Sequence, residues 1–172
     1  MKRGGCRFVP AEVVYALLCA GSRQIRFELS AGAKEQGCAD YAAVIEQIPY
    51  ARLLGVEMRE ENGELLFVLP FKEANVGNPL LPALHGGVIG GFLENSALLH
   101  LMWARESLEV PKTIDFSIDY LRSGKAQTLY AQCDITKQGK RVANVMMTAW
   151  QDDKSKPIAV ARAHFLLTQD NT

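Results

Sequence analysis

No apolar run in this chain approaches the roughly 18 residues that a membrane-spanning helix needs, and neither charge sign is in excess, with 19 Lys and Arg against 19 Asp and Glu. The first absence argues against a transmembrane segment, and the second leaves no electrostatic footprint for nucleic acid or an anionic membrane. Cysteine is sparse and scattered. Cys6, Cys19, Cys38 and Cys133 show no CxxC spacing, which suggests neither a zinc ribbon nor a disulfide framework and fits a reducing cytoplasm. Histidine occurs only as His85, His100 and His164, none at metal-ligand spacing, so no metal site is expected and His100 and His164 read as structural. Internal repeats and low-complexity tracts are also missing.

What is present is 172 residues with 48% hydrophobic content, enough for one domain with a full core. Residues 1–38 read differently from the rest. Lys2, Arg3 and Arg7 precede an apolar stretch from Val13 to Ala20 in the manner of a signal peptide, but Pro10 and Glu12 spoil the match and no small-residue cleavage site follows. The reading adopted is an N-terminal extension over 1–38, joined through Gly32–Gly37 to a domain over 39–172.

Within that domain a helix is expected from Asp40, its N-cap, to Gln47, with Pro49 ending it and a short further turn after it. Leu65–Leu69 reads as a strand after the Asn62-Gly63 turn, and Asn75–Ala83 as a loop. A long helix runs from about Gly86 to Glu106. Pro111 opens a strand-rich half in which Thr113–Tyr120 alternates Ile114, Phe116, Ile118 and Tyr120 with Asp115, Ser117 and Asp119. The Asp115, Ser117, Asp119 face is either solvent-exposed or a polar dimer contact. Thr128–Thr136, Arg141–Gln151 and Ile158–Thr168 continue as strands, with connections too short for crossover helices, so the pairing is expected to be antiparallel. One strand, a helix apolar all round and four meandering strands predict an α+β hot-dog fold, an antiparallel sheet wrapped around one central helix.

The chemistry concentrates in His85-Gly86-Gly87 and the acid nine positions after the histidine, Glu94. Burying an ionised carboxylate is costly, so Glu94 among Val88, Ile89, Phe92, Leu93, Leu98 and Leu99 points to use as a base. Gly86 and Gly87 leave backbone N–H groups bare at the positive end of a helix, where an oxyanion is stabilised. Nine residues put His85 and Glu94 on opposite faces of the helix and about 13 Å apart. One carbonyl cannot meet both within one chain. A base and an oxyanion donor that serve one substrate must therefore come from two protomers, which predicts a homodimer with shared sites, possibly paired into a tetramer.

His85-Gly86-Gly87 with Glu94, followed by Thr113-Ile114-Asp115-Phe116-Ser117-Ile118-Asp119-Tyr120-Leu121-Arg122, resembles the hot-dog acyl-CoA thioesterases of the phenylacetyl-CoA type, over about Ile48–Leu167. The resemblance implies hydrolysis of an acyl- or aryl-CoA thioester with Glu94 as base or nucleophile, Gly86 N–H as oxyanion donor, and no metal or organic cofactor. It implies a positioning role for His85, and a hydroxyl at Thr113 that holds water or the carboxylate. Asn78 is implied as support for the carbonyl site, although it stands seven residues before His85 where six is usual. Gly87 and Asn95 are assigned to substrate binding. Arg122, Lys140 and Arg141 are basic residues at strand ends suited to coenzyme A phosphates, or else solvated hairpin charges. Trp103, Met102, Met146, Met147 and Trp150 read as core in preference to an acyl pocket. Two rival readings are a hot-dog dehydratase or hydratase of acyl thioesters, disfavoured by the wider Gly-to-acid spacing, and a non-catalytic acyl-CoA-binding module, disfavoured by the presence of Glu94.

Overall fold

A computed structural model describes residues 41–78, 80 and 82–167. The extension expected over 1–38 lies outside the described residues.

Among the described residues two short helices come first, α1 (Tyr41–Glu46) and α2 (Pro49–Leu54). Pro49 does end α1, and it also starts α2, where its missing N–H and fixed φ suit the first turn. Strands β1 (Glu57–Glu61) and β2 (Glu64–Leu69) form a hairpin whose turn residues Asn62 and Gly63 both take positive φ, the conformation Asn-Gly favours between twisted strands. The expected loop after β2 contains a 3-10 turn (Glu73–Asn75) and a small ladder of β3 (Val76–Asn78) and β4 (Ala83–Leu84). The long helix α3 spans Gly86–Ala104, followed by β5 (Lys112–Tyr120), β6 (Leu129–Gln138), β7 (Val142–Trp150) and β8 (Ala159–Leu166).

Six strands form one antiparallel sheet in the order β1-β2-β6-β7-β8-β5. The antiparallel pairing expected from the short connections is present, but the meander is not complete. β6 pairs with β2, while β5 pairs with β8 and stands at the edge of the sheet. β1, too polar and exposed for periodicity to reveal it, was not among the expected strands.

The sheet's inner face carries Phe67, Ala131, Val145, Met147, Ala149, Ala161, Ala163 and Phe165, all buried, against Phe92, Leu93, Leu99, Leu101 and Met102 of α3. Small alanines on β6–β8 let the helix lie close. Two polar residues inside α3 are satisfied by their own helix, Asn95 Nδ2 donating to Gly91 O at 2.6 Å and Ser96 Oγ to Phe92 O at 2.8 Å. This is the hot-dog arrangement, a sheet wrapped around one central helix.

Candidate active site

At the start of α3, His85 is the N-cap, and its Nδ1 accepts the Gly87 N–H at 2.9 Å. An accepting Nδ1 puts the ring proton on Nε2, which leaves an outward N–H donor on an exposed imidazole. The His85 carbonyl takes the N–H groups of Val88 and Ile89. Among the described residues, the Gly86 N–H alone of this first turn has no acceptor. It is an unspent donor at the positive end of a helix of 19 residues.

Two supports for this turn were not foreseen from the sequence. Asn75 is buried and its carbonyl accepts the His85 N–H at 2.9 Å, while β3 passes so close that a Cβ on Gly77 would come within 2.8 Å of His85 Cα. Tyr120, at the end of β5, donates its hydroxyl to Gly86 O at 2.7 Å, and its ring lies where side chains at Gly86 and Gly90 would otherwise project. A tyrosine facing glycines four apart on a helix is the signal that could have found it. Asn78, expected at the carbonyl site, accepts the Leu80 N–H at 2.9 Å with its side chain, an Asx turn in the β3–β4 connection.

Glu94 is half-buried, not enclosed by the apolar residues around it in sequence. Its Oε1 accepts the Thr113 hydroxyl at 2.8 Å. The other oxygen has no protein donor among the described residues. Strict alternation along β5 would turn Thr113 outward with Asp115, Ser117 and Asp119. A bulge prevents this. Thr113 faces Phe165 of β8 and Asp115 faces His164, so Ile114 is the extra residue and Thr113 is re-aimed to the helix side. Asp115 instead accepts from His164 Nδ1 at 2.7 Å on the outer face, and this hydrogen bond holds its carboxyl below the usual aspartate range. Asp115, Ser117 and Asp119 are all exposed.

The candidate residues thus fall into two groups at opposite ends of β5. Glu94 and Thr113 share the end where Lys112 pairs with Leu166 and Leu166 with Val142, beside the turn that carries Lys140 and Arg141. His85, Gly86 and Tyr120 occupy the other end with Arg122; the two ends of β5 are roughly 20 Å apart along the strand, and Gly86 and Glu94 about 12 Å apart along α3. The three basic residues therefore form no single patch within one chain. Arg122 donates Nη1 to Pro157 O at 2.6 Å, whereas Lys140 and Arg141 are exposed with no side-chain partner among the described residues. Asn95 lies buried with its amide on the Gly91 carbonyl. Among the described residues no group of three or more His, Cys, Asp or Glu side chains is placed to hold a metal ion, and no helix is long and apolar enough to cross a membrane.

Comparison with known proteins gives a consistent picture. Residues 81–158 match the family model of the thioesterase superfamily. The medium/long-chain acyl-CoA thioesterase YigI of Escherichia coli is 29% identical, over 72% of this chain and 88% of the relative. A crystal structure of a protein from Chromobacterium violaceum is 61% identical, with a TM-score of 0.61 over 76% of this chain and 91% of that one. A protein from Bacillus halodurans solved with CoA shares the fold at 21% identity, with a TM-score of 0.58 over 76% of this chain and 91% of that one.

Proposed function

The chain belongs to the thioesterase superfamily and is a thioester hydrolase, and from that premise we propose that it cleaves acyl-CoA to the free acid and coenzyme A in a site shared between two copies. The observation that carries the reading is the Glu94 carboxylate, held through one oxygen by Thr113 with the other left free. That free oxygen takes a proton from water as the water oxygen bonds to the thioester carbon. The carbonyl oxygen, now negative, is stabilised by the Gly86 N–H of the partner copy. When the intermediate collapses the C–S bond breaks, and the proton passes from Glu94 to the departing sulfur. In the alternative route the same carboxylate attacks the carbon directly and expels the coenzyme A thiolate, giving an anhydride that water then opens to the free acid and the regenerated Glu94 carboxyl.

The edge of the sheet supports a second copy. Among the described residues β5 pairs only with β8, and its other side offers unpaired N–H and C=O groups flanked by exposed Ile114 and Tyr120. Two such edges joined antiparallel about a two-fold axis bring the Thr113 end of one strand against the Tyr120 end of the other. Glu94, Lys140 and Arg141 of one copy then stand with Gly86, His85 and Arg122 of its mate, and the separated groups become one site. The name of the Escherichia coli relative and the CoA in the Bacillus halodurans structure both support a CoA thioester, and the first supports a medium or long acyl chain. Thiol release from short, medium, long and aromatic acyl-CoAs tests the activity directly. No release from any of them would remove the proposal.

Two consequences are measurable. Thr113→Val removes the hydroxyl that orients Glu94 at similar volume, so kcat falls about tenfold, the effect of one hydrogen bond to a charged group in a partly solvated site, while Thr113→Ser retains most activity. Lys140→Glu raises KM for acyl-CoA several-fold more than for an acyl-pantetheine, because only the former presents phosphates. Arg122→Glu moves in the same direction but also loses the Pro157 contact, so Lys140 is the cleaner probe. Equal effects on both substrates would show that neither residue reads the nucleotide.

A further inference from the structure

Around α3, at 100° per residue, Glu94 falls between Gly90 and Gly91, roughly 40° from the first and 60° from the second. On the Gly90 side β5 packs alongside, with the Tyr120 hydroxyl 3.5 Å and the Ile118 and Phe116 side chains 3.9 Å from a Cβ built there, ordinary contact distances. On the Gly91 side the space that a side chain would fill is taken by Tyr50 of α2, whose ring edge would lie only 2.6 Å from such a Cβ. Helical side chains lean toward the N terminus, so the Glu94 carboxylate lies over the turn that these two glycines form. Glu94 thus sits on the floor of a trough with β5 as one wall and Tyr50 as the other. Tyr50 is 43% exposed despite its packing on Gly91, its hydroxyl has no partner among the described residues, and Leu53 one turn further along α2 is 72% exposed.

We infer that the Tyr50 ring is the wall against which the substrate's acyl chain lies, and so sets the enzyme's preference among acyl groups. The inference rests on the reading of Glu94 as the group that acts on the thioester. With the thioester carbon at Glu94, one arm of the substrate leads to the phosphates and the other is the acyl chain. The phosphates suit Lys140 and Arg141, in the β6–β7 turn beyond β8 from β5, whereas Tyr50 stands against Gly91, across Glu94 from β5. The apolar surface of Tyr50 and Leu53 suits the acyl chain. Tyr50 can lie flush with the helix only because residue 91 lacks a side chain.

The test is the ratio of kcat/KM for dodecanoyl-CoA to that for butanoyl-CoA, measured on the full chain. Tyr50→Ala lowers this ratio about tenfold, the effect of losing apolar contact with one or two methylenes, while Tyr50→Phe, which keeps the ring, leaves it within twofold. A folded Tyr50→Ala protein whose ratio stays within twofold of wild type, or which loses both activities in equal proportion, overturns the inference. Should that variant not fold, Gly91→Ala substitutes for it, because a methyl group there displaces the ring and must shift the same ratio. Wild-type protein inactive on every acyl-CoA overturns the reading of Glu94 itself, whereas an active enzyme with an unmoved ratio overturns only the role of Tyr50.

Discussion

Glu94→Gln is expected to fold as the parent does and to lose a factor of about 10²–10⁴ in kcat, the range that a positioned base contributes. The amide has the carboxylate's shape, and its carbonyl oxygen can still accept the Thr113 hydroxyl that Oε1 accepts at 2.8 Å. It cannot accept a proton from water. Because Glu94 is half-buried at the surface of α3 and makes no ion pair among the described residues, the substitution leaves no charge stranded in the core. KM should change little, since the group acts on the reacting atoms and contributes little to ground-state binding. Thermal unfolding near that of wild type, combined with single-turnover thiol release, separates the chemical step from any loss of fold. Turnover near wild type in the folded variant would remove Glu94 from the mechanism.

The features of this site that were legible beforehand are those written in local chemistry. Histidine and two glycines before an apolar run mark a helix start, and the structure has His85 as the N-cap with α3 beginning at Gly86. Asn62-Gly63 marks a hairpin, and both residues take positive φ. What resisted reading depends on long-range pairing. Period-two patterning assigns faces along β5 but has no means of registering an inserted residue, so it puts Thr113 on the wrong side of a bulge that only the pairing with β8 defines. Likewise, β5 leaves the meander to pair with β8, because a sheet that wraps a helix must bring its later strands round to the first one after that helix. The contacts of Asn75 and Tyr120 with the start of α3 were not legible for the same reason. Each residue supports the start of α3 through a contact that joins segments remote in sequence or folded back by a turn.

Mixing two inactive variants is expected to restore about a quarter of wild-type activity, provided that each site draws Glu94 from one copy and Gly86 from the other. Glu94→Ala removes the base. Gly86→Pro removes the free N–H at the first position of α3, where the fixed φ of proline is tolerated, and the preceding His85 already has φ −63° and ψ 131°, the extended backbone that a following proline requires. No intrachain hydrogen bond is lost, because that N–H has no acceptor among the described residues, and a Cβ at position 86 would lie in ordinary contact with Tyr120, at 3.4 Å. Each variant alone is nearly inactive, since every site in its homodimer carries the same lesion. After joint unfolding and refolding at equal amounts, random pairing makes half of all dimers mixed. Each mixed dimer holds one doubly defective site and one intact site, which gives a quarter of the wild-type site count. Sites confined to one chain recover nothing, for every chain carries one lesion. Heterodimers confirmed by differential tagging, with no activity above that of the parents and with the proline variant shown to fold, would exclude the shared site and leave the two ends of β5 chemically unconnected.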